Sequence, residues 1–251
     1  MMPRCCVGSA MVSTSKRAAH GDWEPAYVLH RRAYRETSLL LECLTPQWGR
    51  VGVVARGARG ARSPWRGRLE PFQALHLRVT GRGELRTLVA AESVERPRSP
   101  PARALAAAFY LSELTLRLLP RDDPAPQVFV AYGVAMQALC DGSAAGLLLR
   151  IYEKRLLQAL GLGLSLDATS AGQPVVDDGW YAWLPEQGLV EVADAATQAC
   201  PGWAVRALDE ESTTWPSDPS RPLLRITQAA IEPLLGGKPL ASRALQRRQP
   251  S

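Results

Sequence analysis

Through residues 23–98 the apolar positions come in short runs that turn-formers interrupt. Ala26–Arg32, Thr37–Thr45, Gly49–Ala55, Phe72–Thr80 and Glu84–Val94 are rich in Val, Leu and Tyr. Pro46-Gln47-Trp48-Gly49 and Gly81-Arg82-Gly83 separate neighbouring runs, so the pattern predicts strands. Leu75-His76-Leu77-Arg78-Val79 alternates cleanly, as a strand with one buried face does. The last two runs, joined through Thr80-Gly81-Arg82-Gly83, predict a hairpin. Five short strands with one long connection after the third predict a small closed barrel, and the oligonucleotide-binding (OB) barrel is the commonest design of that kind.

Beyond the Pro-rich stretch Arg96-Pro97-Arg98-Ser99-Pro100-Pro101 the period changes to that of helices. Pro101–Leu119 places Leu111, Leu114 and Leu118 three and four apart, and Pro120 ends it. Gln127–Cys140 and Ala144–Leu160 follow, the latter with Leu148, Tyr152, Leu156 and Leu160 on one stripe. Val175–Gly179 and Trp180–Trp183 predict a small β-hairpin inserted among the helices. Helices resume near Trp203–Glu210 and Leu223–Leu235, with a short basic helix or tail at Leu240–Arg248. The expected class is therefore α+β, in three parts. Residues 1–22 form a disordered extension in which Met11 is an alternative start, 23–97 an OB barrel, and 98–251 a mostly helical domain.

Charge sharpens that division. The chain of 251 residues carries a net charge of +6, but residues 1–98 hold 17 basic and 8 acidic side chains and residues 99–251 hold 13 and 16. A basic front half joined to a mildly acidic back half suggests a polyanion-binding module attached to something with another task. Nearly all the cations are arginine; Lys16, Lys154 and Lys238 are the only lysines, and a GC-rich coding bias is enough to explain that preference. Five scattered cysteines do not form a secreted disulfide framework, which favours a reducing cytosol. No signal-peptide core, membrane-length apolar run, zinc-ligand spacing or phosphate-binding loop is legible. No nucleophile or acid–base constellation is legible either, so nothing in the chain argues for an enzyme.

The long connection is the most informative segment. Arg50, Arg56, Arg59, Arg62, Arg66 and Arg68 fall within it without an acid between them, spaced by glycines and accompanied by Trp65. Guanidiniums grip phosphates bidentately, glycines let the backbone follow an irregular strand, and an indole face can stack a base. The alternative is a solvated basic loop. Arg31, Arg32, Arg35, Arg78, Arg82 and Arg86 could extend the same surface, and Tyr34 and Trp48 are either stacking partners or buried aromatics. In the back half Arg150 and Lys154 lie four apart, a spacing that Arg221 and Arg225 repeat. If their helices pack together, an apolar groove rimmed by cations results, suited to an acidic peptide with a hydrophobic end and a free carboxylate. The alternative is that these cations satisfy nearby acids such as Glu153.

Several short segments resemble the bacterial RecO recombination-mediator family. They are Ala26-Tyr27-Val28-Leu29-His30, Glu36-Thr37-Ser38-Leu39-Leu40-Leu41, Gly49-Arg50-Val51 and Ala55-Arg56-Gly57-Ala58-Arg59. Leu69-Glu70-Pro71-Phe72, Gly81-Arg82-Gly83-Glu84-Leu85 and Leu235-Gly236-Gly237-Lys238-Pro239-Leu240 with Ser242-Arg243 continue the series in order. The resemblance implies an N-terminal OB domain, a helical C-terminal domain and a non-catalytic role in RecF-pathway gap and break repair. It also implies binding of single- and double-stranded DNA, annealing of complementary strands, contacts with RecR and the single-stranded DNA-binding protein SSB, and help in loading RecA. A cytoplasmic, nucleoid-associated location follows, and the SSB-tail pocket would fall at Arg150 and Arg221. Some members carry a four-cysteine zinc site in the helical domain; here that part has only Cys140 and Cys200, which points to the zinc-free branch with no metal or cofactor. An RNA- or ribosome-associated OB protein and a purely protein-binding adaptor remain the alternatives.

Overall fold

A computed structural model of the chain describes residues 23–81, 83–94, 98–193, 199–212 and 217–247. The expected extension at residues 1–22 lies outside the described residues. Strands β1 (Glu24–Tyr34), β2 (Ser38–Thr45), β3 (Gly49–Ala55), β4 (Ala74–Thr80) and β5 (Leu85–Ser93) close into a barrel in the order β1-β2-β3-β5-β4. All neighbours are antiparallel except β3 and β5. This is the OB-type barrel that the strand pattern predicts. Alternation sends Ala26, Val28, Leu41, Cys43, Val51, Val53, Leu75, Leu77 and Val79 inward to fill it.

The helical part comprises α1 (Ala102–Leu118), α2 (Pro126–Cys140), α3 (Ala145–Ala159), α4 (Gly202–Asp209), α5 (Ser220–Ile231) and α6 (Ala241–Arg247). The expected small hairpin is present but shifted. Its arms are β6 (Trp180–Leu184) and β7 (Gly188–Glu191), and β8 (Cys200–Pro201) adds a third strand beside β6. Val175–Gly179, expected as the first arm, is instead an irregular approach segment. Val175 N–H donates to Asp167 O and Val176 N–H to the Tyr181 hydroxyl. Those two donors are therefore not available for a ladder with β6.

Barrel and helices share one core. The outward residues Leu29 and Leu44, together with Phe72, are buried among Tyr132, Met136, Tyr152 and the other helical core residues. The Tyr27 ring lies 5.1 Å from both Phe129 and Tyr132 on α2, and Phe72 meets Phe109 of α1 edge-on at 5.0 Å. Polar contacts reinforce the seam. Glu42 on β2 accepts from Arg121, which follows α1, and Arg50 lies 3.8 Å from the same carboxylate. Asp122 N–H donates to Arg50 O at 3.0 Å, and Arg86 pairs with Asp122 at 3.0 Å. Burial depresses the Arg50 pKa, an effect that the Glu42 carboxylate opposes.

The seam is tight enough to require a glycine. Gly49 has φ +63° in the β2–β3 turn, and a Cβ there would sit 1.7 Å from the Asp123 carbonyl oxygen. Gly49→Ala therefore combines a left-handed backbone with a backbone clash, and is expected to cost about 2–4 kcal/mol. Urea unfolding measures it; a change within about 0.5 kcal/mol, as for an ordinary surface site, would mean the turn does not bear on the helices.

Candidate nucleic-acid interface

The chain from Arg56 to Arg68 is built from consecutive turns. Gly60 N–H donates to Gly57 O, Ser63 to Gly60 O, Arg66 to Ser63 O and Arg68 to Trp65 O. Gly57 and Gly67, with φ +66° and +70°, supply the left-handed residues that such a path needs. Ala58 and Trp65 face inward and pack on the barrel core. Trp65 is thus half-buried as a lid on the barrel rather than presented as an open stacking face. Trp48 packs on the core from the β2–β3 turn, with Arg86 4.6 Å over its ring.

Register places this lid beside the β1–β2 hairpin tip. Ala33 pairs with Leu39, and Leu39 with Ala55, so Arg56 emerges next to Tyr34–Thr37. Arg59 joins the two. Its N–H donates to Thr37 O at 2.8 Å, and its Nη1 donates to Glu36 O at 3.1 Å and Arg35 O at 3.4 Å. Arg35 itself has φ +52°, and its guanidinium lies 5.2 Å from the Tyr34 ring. Arg32, Arg35, Arg56, Arg59, Arg62, Arg66 and Arg68 are all exposed. No carboxylate among the described residues pairs with any of them. The lid and the tip together therefore carry seven exposed arginines against the single exposed carboxylate of Glu36 within the tip.

Other sequence-singled arginines are placed elsewhere. Arg31 forms a bidentate pair with Glu70, at 2.7 and 2.6 Å. Arg50 belongs to the seam, not to the loop. Arg82 lies outside the described residues.

The helical cations depart from the expected groove rim. Helices α3 and α5 do pack together, but Arg150 and Lys154 sit inside the packed region, with only 4% and 5% of their surface exposed. Arg150 bonds Glu153 at 2.8 Å and Thr227 at 2.9 Å, and Glu153 accepts from the Tyr110 hydroxyl at 2.5 Å. Burial and the neighbouring Glu153 carboxylate push the Tyr110 hydroxyl well above its ordinary range. Lys154 donates to Leu208 O and Asp209 O at 3.1 and 2.6 Å, capping α4 at its negative end. Arg221 and Arg225 are exposed on α5, and Arg225 also donates to Ala199 O at 2.7 Å. No described helix is long and apolar enough to cross a membrane. Among the described residues no group of three or more His, Cys, Asp or Glu side chains is placed to hold a metal.

The family description Recombination protein O N terminal matches residues 23–97, and Recombination protein O C terminal matches residues 102–244. The chain belongs to the RecO family. The chain is 44% identical to the DNA repair protein RecO of Alkalilimnicola ehrlichii, over 89% of this chain and 90% of that one. It is 42% identical to the protein of the same name from Chromobacterium violaceum, over 89% and 94%. For that of Pseudomonas aeruginosa strain LESB58 the figure is 38%, over 88% and 93%. In this RecO-family chain the exposed arginines of lid and tip lie on the barrel, while Arg150 and Glu153 hold α3 to its neighbours. Arg150→Ala strands Glu153 as a buried unpaired carboxylate and is expected to cost about 3–5 kcal/mol of stability. Chemical denaturation checks this; wild-type stability would place the pair in solvent.

Proposed function

We propose that this chain is a non-enzymatic DNA repair and recombination protein that binds DNA at the lid end of its barrel. The observation that carries the reading is the set of exposed arginines on the lid and the tip, without carboxylate partners among the described residues, with Arg59 joining lid to tip. Two complementary strands repel through their phosphates, and a cationic surface that holds either strand lowers that barrier. Base reading is not required, because pairing between the bases supplies sequence fidelity. The surface suits single strands best, since the turns of the lid can track a flexible backbone, and it also attracts duplex phosphates. The protein acts in the cytoplasm, on the nucleoid, in the RecF pathway.

If Arg56, Arg62 and Arg66 each neutralise one phosphate, their triple replacement by Ala weakens binding of all sequences. It also flattens the slope of log K against log salt by about 2 on single strands. Fluorescence anisotropy over a salt series reads this, with annealing of complementary oligonucleotides as the companion assay. Wild-type slope and annealing in the triple variant would remove the lid from the DNA site. Preference for RNA over DNA in competition would favour an RNA-directed role instead.

The same reading assigns the acidic C-terminal tail of SSB to the helical part, with RecR contact and RecA loading as the downstream steps. Its exposed cations Arg221 and Arg225 are the electrostatic attachment points, because Arg150 and Lys154 are already engaged by protein acceptors. Replacing both Arg221 and Arg225 by Glu is expected to reduce tail-peptide binding at least tenfold, about 1.4 kcal/mol, while leaving naked-DNA affinity near wild type. Unaltered peptide binding by calorimetry would dismiss α5 as the site.

A further inference from the structure

Six arginines sit exposed on the lid and at the hairpin tip beside it without an acceptor among the described residues or with only a ring contact, but Arg59 differs. It makes every side-chain hydrogen bond that this end of the barrel records between lid and hairpin tip. The left-handed Arg35 bends the tip so that the carbonyls of Arg35, Glu36 and Thr37 all turn toward the lid. Three successive carbonyl oxygens so arranged make a concentration of partial negative charge like that of a helix C-terminus. The guanidinium is planar and carries donors in a fixed fork, so one side chain serves two of these oxygens while its own backbone N–H serves the third. Both side-chain bonds come from Nη1, which turns the guanidinium toward the tip and takes that nitrogen out of a bidentate grip on phosphate.

We infer that Arg59 is a positioning residue and not a phosphate contact: it clasps the β1–β2 tip to the lid, and so preassembles the surface formed by Arg32, Arg35, Arg56 and Arg62. The inference rests on the DNA-binding reading and deepens it by separating the arginine that builds the surface from those that use it. Without the side-chain clasp only the Arg59 N–H bond to Thr37 O joins tip to lid, so the pair is looser and DNA must order it further on binding. The final complex then contains the same phosphate contacts as before. Affinity falls while the number of released counterions does not.

The experiment compares Arg59→Gln with Arg62→Gln in the full chain, using a fluorescent single-stranded oligonucleotide over a salt series. Backbone amide exchange of the tip and the thermal midpoint are measured in parallel. Arg59→Gln is expected to bind about three- to tenfold more weakly, the equivalent of one or two lost hydrogen bonds, at an unchanged salt slope. Its Arg35–Thr37 amides should exchange faster, with the thermal midpoint close to wild type. Arg62→Gln should instead reduce the slope by about 0.7 and leave tip exchange alone. A slope reduced in Arg59→Gln as in Arg62→Gln overturns the inference whatever the exchange shows, and so does wild-type affinity. If the wild-type protein retains no DNA at low salt, the functional reading fails, and tip exchange alone then decides whether the clasp exists.

Discussion

The structure depends on the burial of outward-facing barrel residues beneath the helices. A small barrel is normally satisfied by its inward side chains, yet here Leu29, Leu44 and Phe72 belong to the helical core rather than to the barrel's own. Each buried aliphatic or aromatic side chain contributes about 1.5–3 kcal/mol relative to exposure, so the helices cannot leave without uncovering a large apolar area. Around that contact the polar groups fall into place. Glu42 reaches Arg121 across the seam, Asp122 bonds both the Arg50 carbonyl and Arg86, and Gly49 allows the backbones to approach.

This burial also bears on the proposed DNA site. An OB barrel commonly uses the open face of its second and third strands together with adjoining loops. In this chain the outward positions Leu40, Glu42 and Leu44 of β2 are buried or engaged at the seam. The end of the barrel, closed by the inward packing of Ala58 and Trp65, stays accessible. The exposed arginines of lid and tip lie there. The apolar contacts of the lid hold its backbone, and the glycines allow that backbone to turn, so the cations are displayed by a structured element rather than by a loose loop.

The strands and helices were largely legible because each has a clear period and a clear stop. Leu75-His76-Leu77-Arg78-Val79 alternates, and the structure buries its apolar members while leaving His76 exposed. The cationic lid was legible as composition, although its geometry was not. Nothing local announces that Arg59 faces the carbonyls of residues 35–37, which are brought to it by strand pairing more than twenty positions away. Arg31 and Glu70 are likewise remote in sequence. The helical cations show a second limit. Four-residue spacing puts Arg150 and Lys154 on one side of α3, but cannot say whether that side meets water or α5. Glu153, three residues beyond Arg150, was the available sign of an internal partner.

The two halves of the molecule use arginine in opposite ways, and the difference follows from desolvation. Arg150 is taken out of water and must have its partners supplied by protein, so Glu153 and Thr227 surround it and its position is fixed. Arg56, Arg62 and Arg66 are exposed and have no carboxylate partner among the described residues, so under the proposed function an arriving phosphate would displace only water and loosely held counterions. Arg59 stands between these cases: exposed, yet committed to backbone oxygens. A cation of that kind contributes little to global stability, because its acceptors can turn to water instead. Its effect is on order, since it limits the conformations of the tip before any ligand arrives. Preorganisation of this sort raises affinity without adding a contact, so under the proposed reading the arginines in such a loop outnumber the phosphates it would hold.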